Sequence, residues 1–374
     1  MERPYAKARI LDLTYDLGRY TGRLFADLGA EVLRIEPPGG LPDRKDARAP
    51  AIYEFEFLNA SKQSRVLDLG SESGRSEFAA LAAASQIILL ERGGPLYDEL
   101  EWVRSLAPAL VVTSISPFGR SGPLAAAPAC DLVLQAAGGI AWLSGRLDGP
   151  PLRLPGSQAT MITGIYAAVA TAMAFYDAKA TGRGHVVDVS TQECIAHSLQ
   201  NSIQVWDYEG RVSMRGGEGT RDASEDMFAC KDGKIFLAAG ITLGVSWKSL
   251  VEWTNEAGHP AYEELSKQRW KDRRWRLTAE AKRIFRETIE SFTAAYTKEE
   301  LTQEGQRRKI ALGPVSTMLD VLVDPQLRHR GYFQSMMLAG YAQQVAFPGA
   351  PYGFSEPVWS VAPAPLLGQA RSSR

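Results

Sequence analysis

The stretch PLRLPGSQATMITGIYAAVATAMAFYDAKATGRGHVVDVSTQE, residues 151–193, decides how the rest of the chain reads. After Thr160, the apolar residues Ile162, Ile165, Tyr166, Val169 and Met173 recur at mixed three- and four-residue spacing, which predicts a long apolar helix. Its many alanines predict close packing against neighbouring elements. His185–Val189 (HVVDV) then reads as a strand.

Upstream, the same alternation repeats. Strands are expected at Ala8–Leu13, Glu31–Ile35, Arg65–Leu69, Gln86–Leu90 and Leu110–Ser114, separated by helical patterns. The first of these helices carries Leu24, Phe25 and Leu28 on one face and has Gly29 as its left-handed C-terminal residue. The others fall at about Ser73–Ala84 and near Tyr97–Ser105. Strands alternating with helices argue for a parallel α/β sheet with right-handed crossovers. After about Val205 the texture changes. Arg215–Ser224 is polar and glycine-rich and reads as a loop or linker, with Arg215-Gly216-Gly217 a candidate lid. Met227–Cys230 and Lys234–Ala238 read as a hairpin turning at Lys231-Asp232-Gly233, and a charged helical region follows to about Arg308. The expected division is a large domain of residues 1–205 and 331–374, with a smaller α+β domain at 206–330.

The chain has 374 residues, 45% of them hydrophobic and 23% charged, with a net charge of -1. That balance gives no electrostatic reason to expect nucleic acid or an anionic membrane as partner. No run approaches 18 uncharged apolar residues, so no spanning helix is expected. The N-terminus shows no signal core ahead of the first strand, and Cys130, Cys194 and Cys230 are few and far apart, so a cytoplasmic protein is expected. Four histidines without CxxC or HExxH spacing give no metal site. The absence of GxGxxG argues against a nicotinamide enzyme. Lys267–Arg283, basic with two tryptophans, reads as a solvated amphipathic helix with Trp270 and Trp275 packed inward, the competing reading being an anionic-partner surface.

Fragments along almost the whole chain resemble the family III CoA-transferases, the CaiB/BaiF family. They are Asp12-Leu13-Thr14 with Ala26–Gly40 (ADLGAEVLRIEPPGG), Asn59–Ser64 with Leu67-Asp68-Leu69, and Ser116–Phe118 with Gly122-Pro123. Thr181-Gly182-Arg183-Gly184, Gly313-Pro314-Val315 with Asp324–Leu327 and Arg330-Gly331, and Pro363–Gly368 (PAPLLG) complete the set. The resemblance implies a Rossmann-like large domain built from both chain ends, an interlocked dimer, and CoA lying against the large domain with basic side chains on its phosphates. The departures are Gly18-Arg19-Tyr20 where the family has AGP, Ala60 and Ala178 where it has arginines, and Glu91-Arg92-Gly93-Gly94 in place of N-F-R-P-G.

The resemblance also implies a nucleophilic aspartate four residues before Gly164, and that position is Thr160. A carboxylate suits the reaction because its anhydride with an acyl group is a high-energy donor, whereas a threonine gives a stable ester and needs a general base. The alternative reading of Thr160 is a helix N-cap. Asp131 is the first candidate to substitute, ahead of Asp188 and Glu193, although a structural or substrate-positioning role is also open to it. A racemase of the family would carry a histidine where Cys130 stands. For CoA phosphates the candidates are Arg34, Lys62, Arg44 and Arg92, with Arg65 a surface charge, and Gly39-Gly40 would let backbone approach a ligand.

Three functions follow from this resemblance. The first is the non-nucleophilic subunit of a heteromeric CoA-transferase, paired with a related subunit that carries the aspartate. It would move CoA from a thioester donor such as succinyl-CoA to a small carboxylic acid, an aromatic succinate such as benzylsuccinate being one possibility. The second is a homodimeric CoA-binding pseudoenzyme. The third is a transferase or isomerase working through Asp131.

Overall fold

The computed structural model describes residues 3–44, 51–146, 149–199, 201–215, 222–240, 245–338 and 343–370. By contacts the chain divides into two compact units, one of residues 1–145, 151–212 and 329–374, the other of residues 146–150 and 213–328.

The first unit is organised by a six-stranded sheet of β1 (Arg9–Asp12), β2 (Glu31–Glu36), β3 (Gln63–Val66), β4 (Ile87–Glu91), β5 (Val111–Ser116) and β6 (Val186–Ser190) in the order β3-β2-β1-β4-β5-β6. Every neighbouring pair is parallel, so the expected α/β class is found. Strand β3 stops at Val66 instead of running to Leu69, because the Asp68 carboxylate and carbonyl accept from the amides of Gly70 and Ser71 and turn the chain into the next helix. The helices are α1 (Arg19–Asp27), α2 (Ala51–Leu58), α3 (Glu72–Ala83), α4 (Leu100–Ser105), α5 (Asp131–Ala137), α6 (Ile140–Leu143), α7 (Gln158–Thr181), α8 (Thr191–Ser198) and α9 (Asn201–Glu209). Gly29, at φ +105°, follows α1 in the left-handed conformation expected of it. The last residues return to this unit. A hairpin of β10 (Phe333–Met337) and β11 (Gln344–Pro348) precedes a tail whose Ala362 carbonyl accepts from the Ser61 amide at 2.8 Å.

Helix α7 starts two residues before Thr160 and ends at left-handed Gly182, φ +71°. Its inward side is made of small residues, among them Ala159, Thr163, Gly164, Ala167 and Thr171, all buried. Of the large apolar residues that announce the helix in the sequence, Ile162 and Tyr166 pack on the core, while Ile165, Val169 and Met173 point outward, between 50% and 69% exposed, as does Tyr176 at 78%. The reason is the closeness of α1: a Cβ on Gly164 would come within 2.6 Å of the Tyr20 Cβ. The expectation that no segment is apolar enough to span a membrane needs correction. By length and composition α7 is, with a mean hydropathy of 1.4 over its most apolar window. Here it packs on α1, β5 and β6, and its many alanines, with Ile162, Ile165, Val169 and Phe175, supply much of that hydropathy.

In the second unit β7 (Glu225–Cys230) and β8 (Gly233–Ala238) form the expected hairpin, turning at Lys231-Asp232, and β9 (Leu312–Val315) adds an antiparallel third strand. The helices α10 (Val245–Glu256), α11 (Ala261–Leu265), α12 (Arg273–Arg276), α13 (Ala279–Thr293) and α14 (Lys298–Arg307) close a core around Trp253, Trp270, Phe285 and Phe292. The basic run Lys267–Arg283 is not one amphipathic helix. It is a 3-10 turn at Gln268–Lys271, then α12, then the start of α13, and Trp270 and Trp275 both pack on the core. Residues 216–221, which include the glycines of the candidate lid, lie outside the described residues.

Replacing Gly164 with alanine tests the α1–α7 approach directly. Gly164→Ala is expected to lower stability by about 1–3 kcal/mol, as overpacking does, read as a fall in thermal midpoint. An unchanged midpoint would show that the helices can part at no cost.

Candidate active site at the switch point of the sheet

In a doubly wound sheet the ligand crevice opens at the carboxyl ends of the strands where the strand order reverses. Here the reversal lies between β1 and β4, so the crevice is framed by the turn Tyr15–Gly18 after β1 and by Glu91-Arg92-Gly93 at the end of β4. The turn is held from beneath by a carboxylate. Glu91 Oε2 accepts from the amides of Tyr15 at 2.9 Å, Asp16 at 3.0 Å and Gly18 at 3.3 Å, and Oε1 accepts from Leu17 at 2.8 Å. Converging amides ahead of a helix are what phosphates seek in such folds. In this chain that cradle is filled by its own Glu91, 2% exposed. Burial pushes the Glu91 carboxyl up to about 7, with Asp16 adding to the rise and the amide donors opposing it.

Helix α7 runs against the strands, so its first turn lies at this same edge. Thr160 is its third residue and 1% exposed, not the N-cap expected from sequence. The cap position belongs to Ser157, whose hydroxyl donates instead to Glu54 at 2.9 Å. The orphan amide of Ala159 is satisfied from another helix by Asp131 Oδ1 at 2.8 Å, while Asp131 Oδ2 accepts from the Gln135 amide group at 2.6 Å. Asp131 is therefore a cap supplied from α5, both oxygens engaged. Arg19, at the head of α1, completes the cluster by binding Glu54 at 2.7 Å, with Asp16 at 3.8 Å. The Thr160 hydroxyl makes no side-chain hydrogen bond among the described residues, and no histidine is placed to deprotonate it: His197 is bonded to Tyr166 and His185 to Asp177. Asp188 accepts from the Arg120 amide at 3.0 Å, and Glu193 sits in the first turn of α8 under its Ser190 cap.

The four basic candidates separate. Arg34, Lys62 and Arg44 meet in one internal network behind the crevice. Arg34, fully buried, forms a double bond pair with Asp43, donates to Asn59 Oδ1 at 2.6 Å and lies 3.4 Å from Glu36. Lys62 Nζ is 2.7 Å from Asp12 and donates to the Arg19 carbonyl at 2.8 Å and to Asn59 at 3.0 Å. Its burial pulls the ammonium pKa down, with Asp12 opposing. Arg44 grips Glu36 through two nitrogens, at 2.5 and 2.6 Å, and donates to the Pro365 carbonyl at 3.0 Å. These three side chains brace the ends of β1 and β2 and offer little to a ligand from outside. Arg92 differs. It is half-buried at the mouth, its guanidinium donating to the Ala126 carbonyl at 3.0 Å and forming no ion pair among the described residues, with the Tyr97 ring 5.8 Å away. Gly39 and Gly40 both hold positive φ, at +89° and +80°. Arg65 pairs with Glu77 at the surface, as expected.

Beside the first turn of α7 opens a recess of about 630 Å³, within the range of small-molecule sites. Tyr53, Phe57, Met161, Val345 and Phe347 give it apolar walls, while Glu54, Ser157 and Gln158 stand at its polar end. Sequence reasoning missed Glu54 and Ser157, which only the tertiary fold brings to α7. It also missed Glu91, although a lone carboxylate closing the apolar run Ile87–Leu90 was a visible sign of a buried, satisfied charge.

Comparison with known proteins bears on the family and the fold. The family described as CoA-transferase family III matches residues 5–371. The chain is 35% identical over 385 residues to the succinyl-CoA:(R)-benzylsuccinate CoA-transferase subunit BbsE of Thauera aromatica, covering 99% of this chain and 93% of that one. It is 26% identical to the succinyl-CoA:mesaconate CoA-transferase of Haloarcula hispanica, covering 97% and 93%. Among solved structures, a CaiB/BaiF family protein from Brucella suis superposes with a TM-score of 0.85 at 24% identity, over 98% of this chain and 97% of that one.

Two substitutions test the site's construction. Asp131→Ala strips the cap from α7 and is expected to cost about 0.5–2 kcal/mol in denaturant unfolding, with Asp131→Asn retaining most of that stability. The Glu91 carboxyl, raised from its ordinary 4.5 to about 7, holds its proton in the folded chain where the unfolded chain has lost it. Its contribution is therefore complete below about 4.5 and declines as pH rises through about 7. Glu91→Gln should flatten that decline when stability is measured across the window.

Proposed function

Because the chain belongs to CoA-transferase family III, we propose that it is the non-nucleophilic subunit of a heteromeric CoA-transferase. The reaction takes CoA from a donor thioester such as succinyl-CoA and passes it to an organic acid, an aromatic succinate such as benzylsuccinate fitting best. The observation that carries this reading is Thr160: a buried hydroxyl in the first turn of α7, at the crevice edge, with no base bonded to it. In the family reaction an aspartate attacks the donor thioester, forming a mixed anhydride and releasing CoA thiolate. The thiolate attacks the anhydride at the aspartyl carbon, giving an aspartyl-CoA thioester and the free donor acid. The acceptor carboxylate then repeats the sequence in reverse. A threonine ester would stop at the first step.

Asp131 is a poor substitute for that aspartate, since one oxygen caps α7 and the other holds Gln135. The partner subunit would thus supply the attacking carboxylate, and this chain the scaffold. The exposed apolar residues of α7, together with Trp206 and Tyr208 of α9 at 58% and 85% exposure, support a large partner surface. The printed designation of the Thauera aromatica relative as a subunit points the same way. The pairing we propose is an interlocked one, as the family resemblance implies. The apolar recess beside α7 suits the aryl part of the acid, with Arg92 at the mouth available to a CoA phosphate. Arg34, Lys62 and Arg44 then act indirectly, by bracing the strand ends. Three free cysteines and the near-neutral charge favour the cytoplasm, without nucleic acid or membrane as partner.

The test is CoA transfer from succinyl-CoA by the chain alone and by the chain co-expressed with a family member carrying aspartate at the matching position. Activity only in the pair is expected. Activity of the chain alone overturns the proposal. Tight CoA binding without transfer in either form would favour a pseudoenzyme. Thr160→Asp adds a carboxylate beside Glu54 and Asp131, and transfer by that variant alone would show the rest of the pocket to be intact.

A further inference from the structure

The second unit holds a recess of its own, about 670 Å³, built from residues 247–271. One wall is a single stripe of α10, where Trp247, Val251 and Asn255 follow one another at four-residue spacing. The opposite wall comes from α11 and the 3-10 turn after it, through Tyr262, Leu265 and Trp270. Trp270 is fully buried and supports Trp247, the ring centres lying 5.7 Å apart, while Tyr262 is 39% exposed and presents its ring to whatever enters. Aromatic walls that are not closed over by the core favour a flat apolar group, stacked or edge-on.

The rim is basic. Lys248 lies 3.6 Å from Glu252, so that pair is close to neutral. Lys267 bonds Glu264 at 2.5 Å, but the same carboxylate also receives Arg269, leaving positive charge over. Lys271 is exposed and forms no ion pair among the described residues. An aromatic floor under surplus ammonium charge selects for a ring that carries an anion, and a carboxylate is matched by one free lysine.

We propose that this recess binds a carboxylic acid bearing an aromatic ring, the ring lying between Trp247 and Tyr262 and the carboxylate at Lys271. The inference concerns binding alone and stands whether or not the chain takes part in CoA transfer. It is tested by calorimetric titration of the full chain with 3-phenylpropanoate, with succinate as the ringless acid and 3-phenylpropan-1-ol as the uncharged ring. Saturable binding of 3-phenylpropanoate is expected, weakened about tenfold by Lys271→Ala, as loss of one charge-assisted contact implies, and weakened at least as much by Tyr262→Ala. Both residues are exposed enough for the variants to fold. No saturable binding by the wild type, undiminished binding in both variants, or equal affinity for succinate would each overturn the proposal.

Discussion

Four backbone amides of one turn share one buried carboxylate, and the site is arranged around that fact. Glu91 rises from the end of β4 into the turn Tyr15–Gly18 and ties together the two strands at which the sheet changes direction. With those amides satisfied internally, the crevice lacks the anion cradle that this kind of sheet uses for phosphates. Arg92, at the mouth, donates to the Ala126 carbonyl, whereas the basic groups of the floor are committed to carboxylates. The same turn delivers Arg19 to Glu54, and through Glu54 to the Ser157 cap of α7.

The floor is built of opposite charges locked on each other. Arg34, Lys62 and Arg44 against Asp12, Asp43 and Glu36 make a buried network in which removing one partner would strand another, at a cost of about 3–5 kcal/mol. Such a network holds loop and strand ends in register at the expense of availability to ligands. Helix α7 is fixed in a different way, by the absence of side chains: Gly164 lets α1 approach, and much of the bulk of α7 is turned outward. One helix thereby has two surfaces, a close-packed inner one that sets Thr160 at the crevice and an outer one that carries exposed apolar residues.

What the sequence made legible was local. The strand–helix alternation, the length of α7 and the Lys231-Asp232 turn depend on neighbours within a few residues, and the sheet and hairpin appeared where those patterns put them. The misreadings at the site were tertiary. Thr160 looked like a cap because nothing nearby in the sequence could show that Asp131 would reach the Ala159 amide from a separate helix. Arg34 and Lys62 read as candidates for a ligand because the carboxylates that engage them, Asp43 and Asp12, lie 9 and 50 positions away in the sequence. The apolar periodicity of α7 gave its helicity but not its facing, since burial there follows small size and not hydrophobicity.

The central claim is that this chain carries no acyl group during turnover. It is tested most directly by mass spectrometry of both subunits after the co-expressed pair is quenched during reaction with succinyl-CoA. A covalent acyl or CoA adduct is expected on the partner subunit, with the mass of this chain unchanged. An adduct on a peptide of this chain containing Thr160 or Asp131 would contradict it.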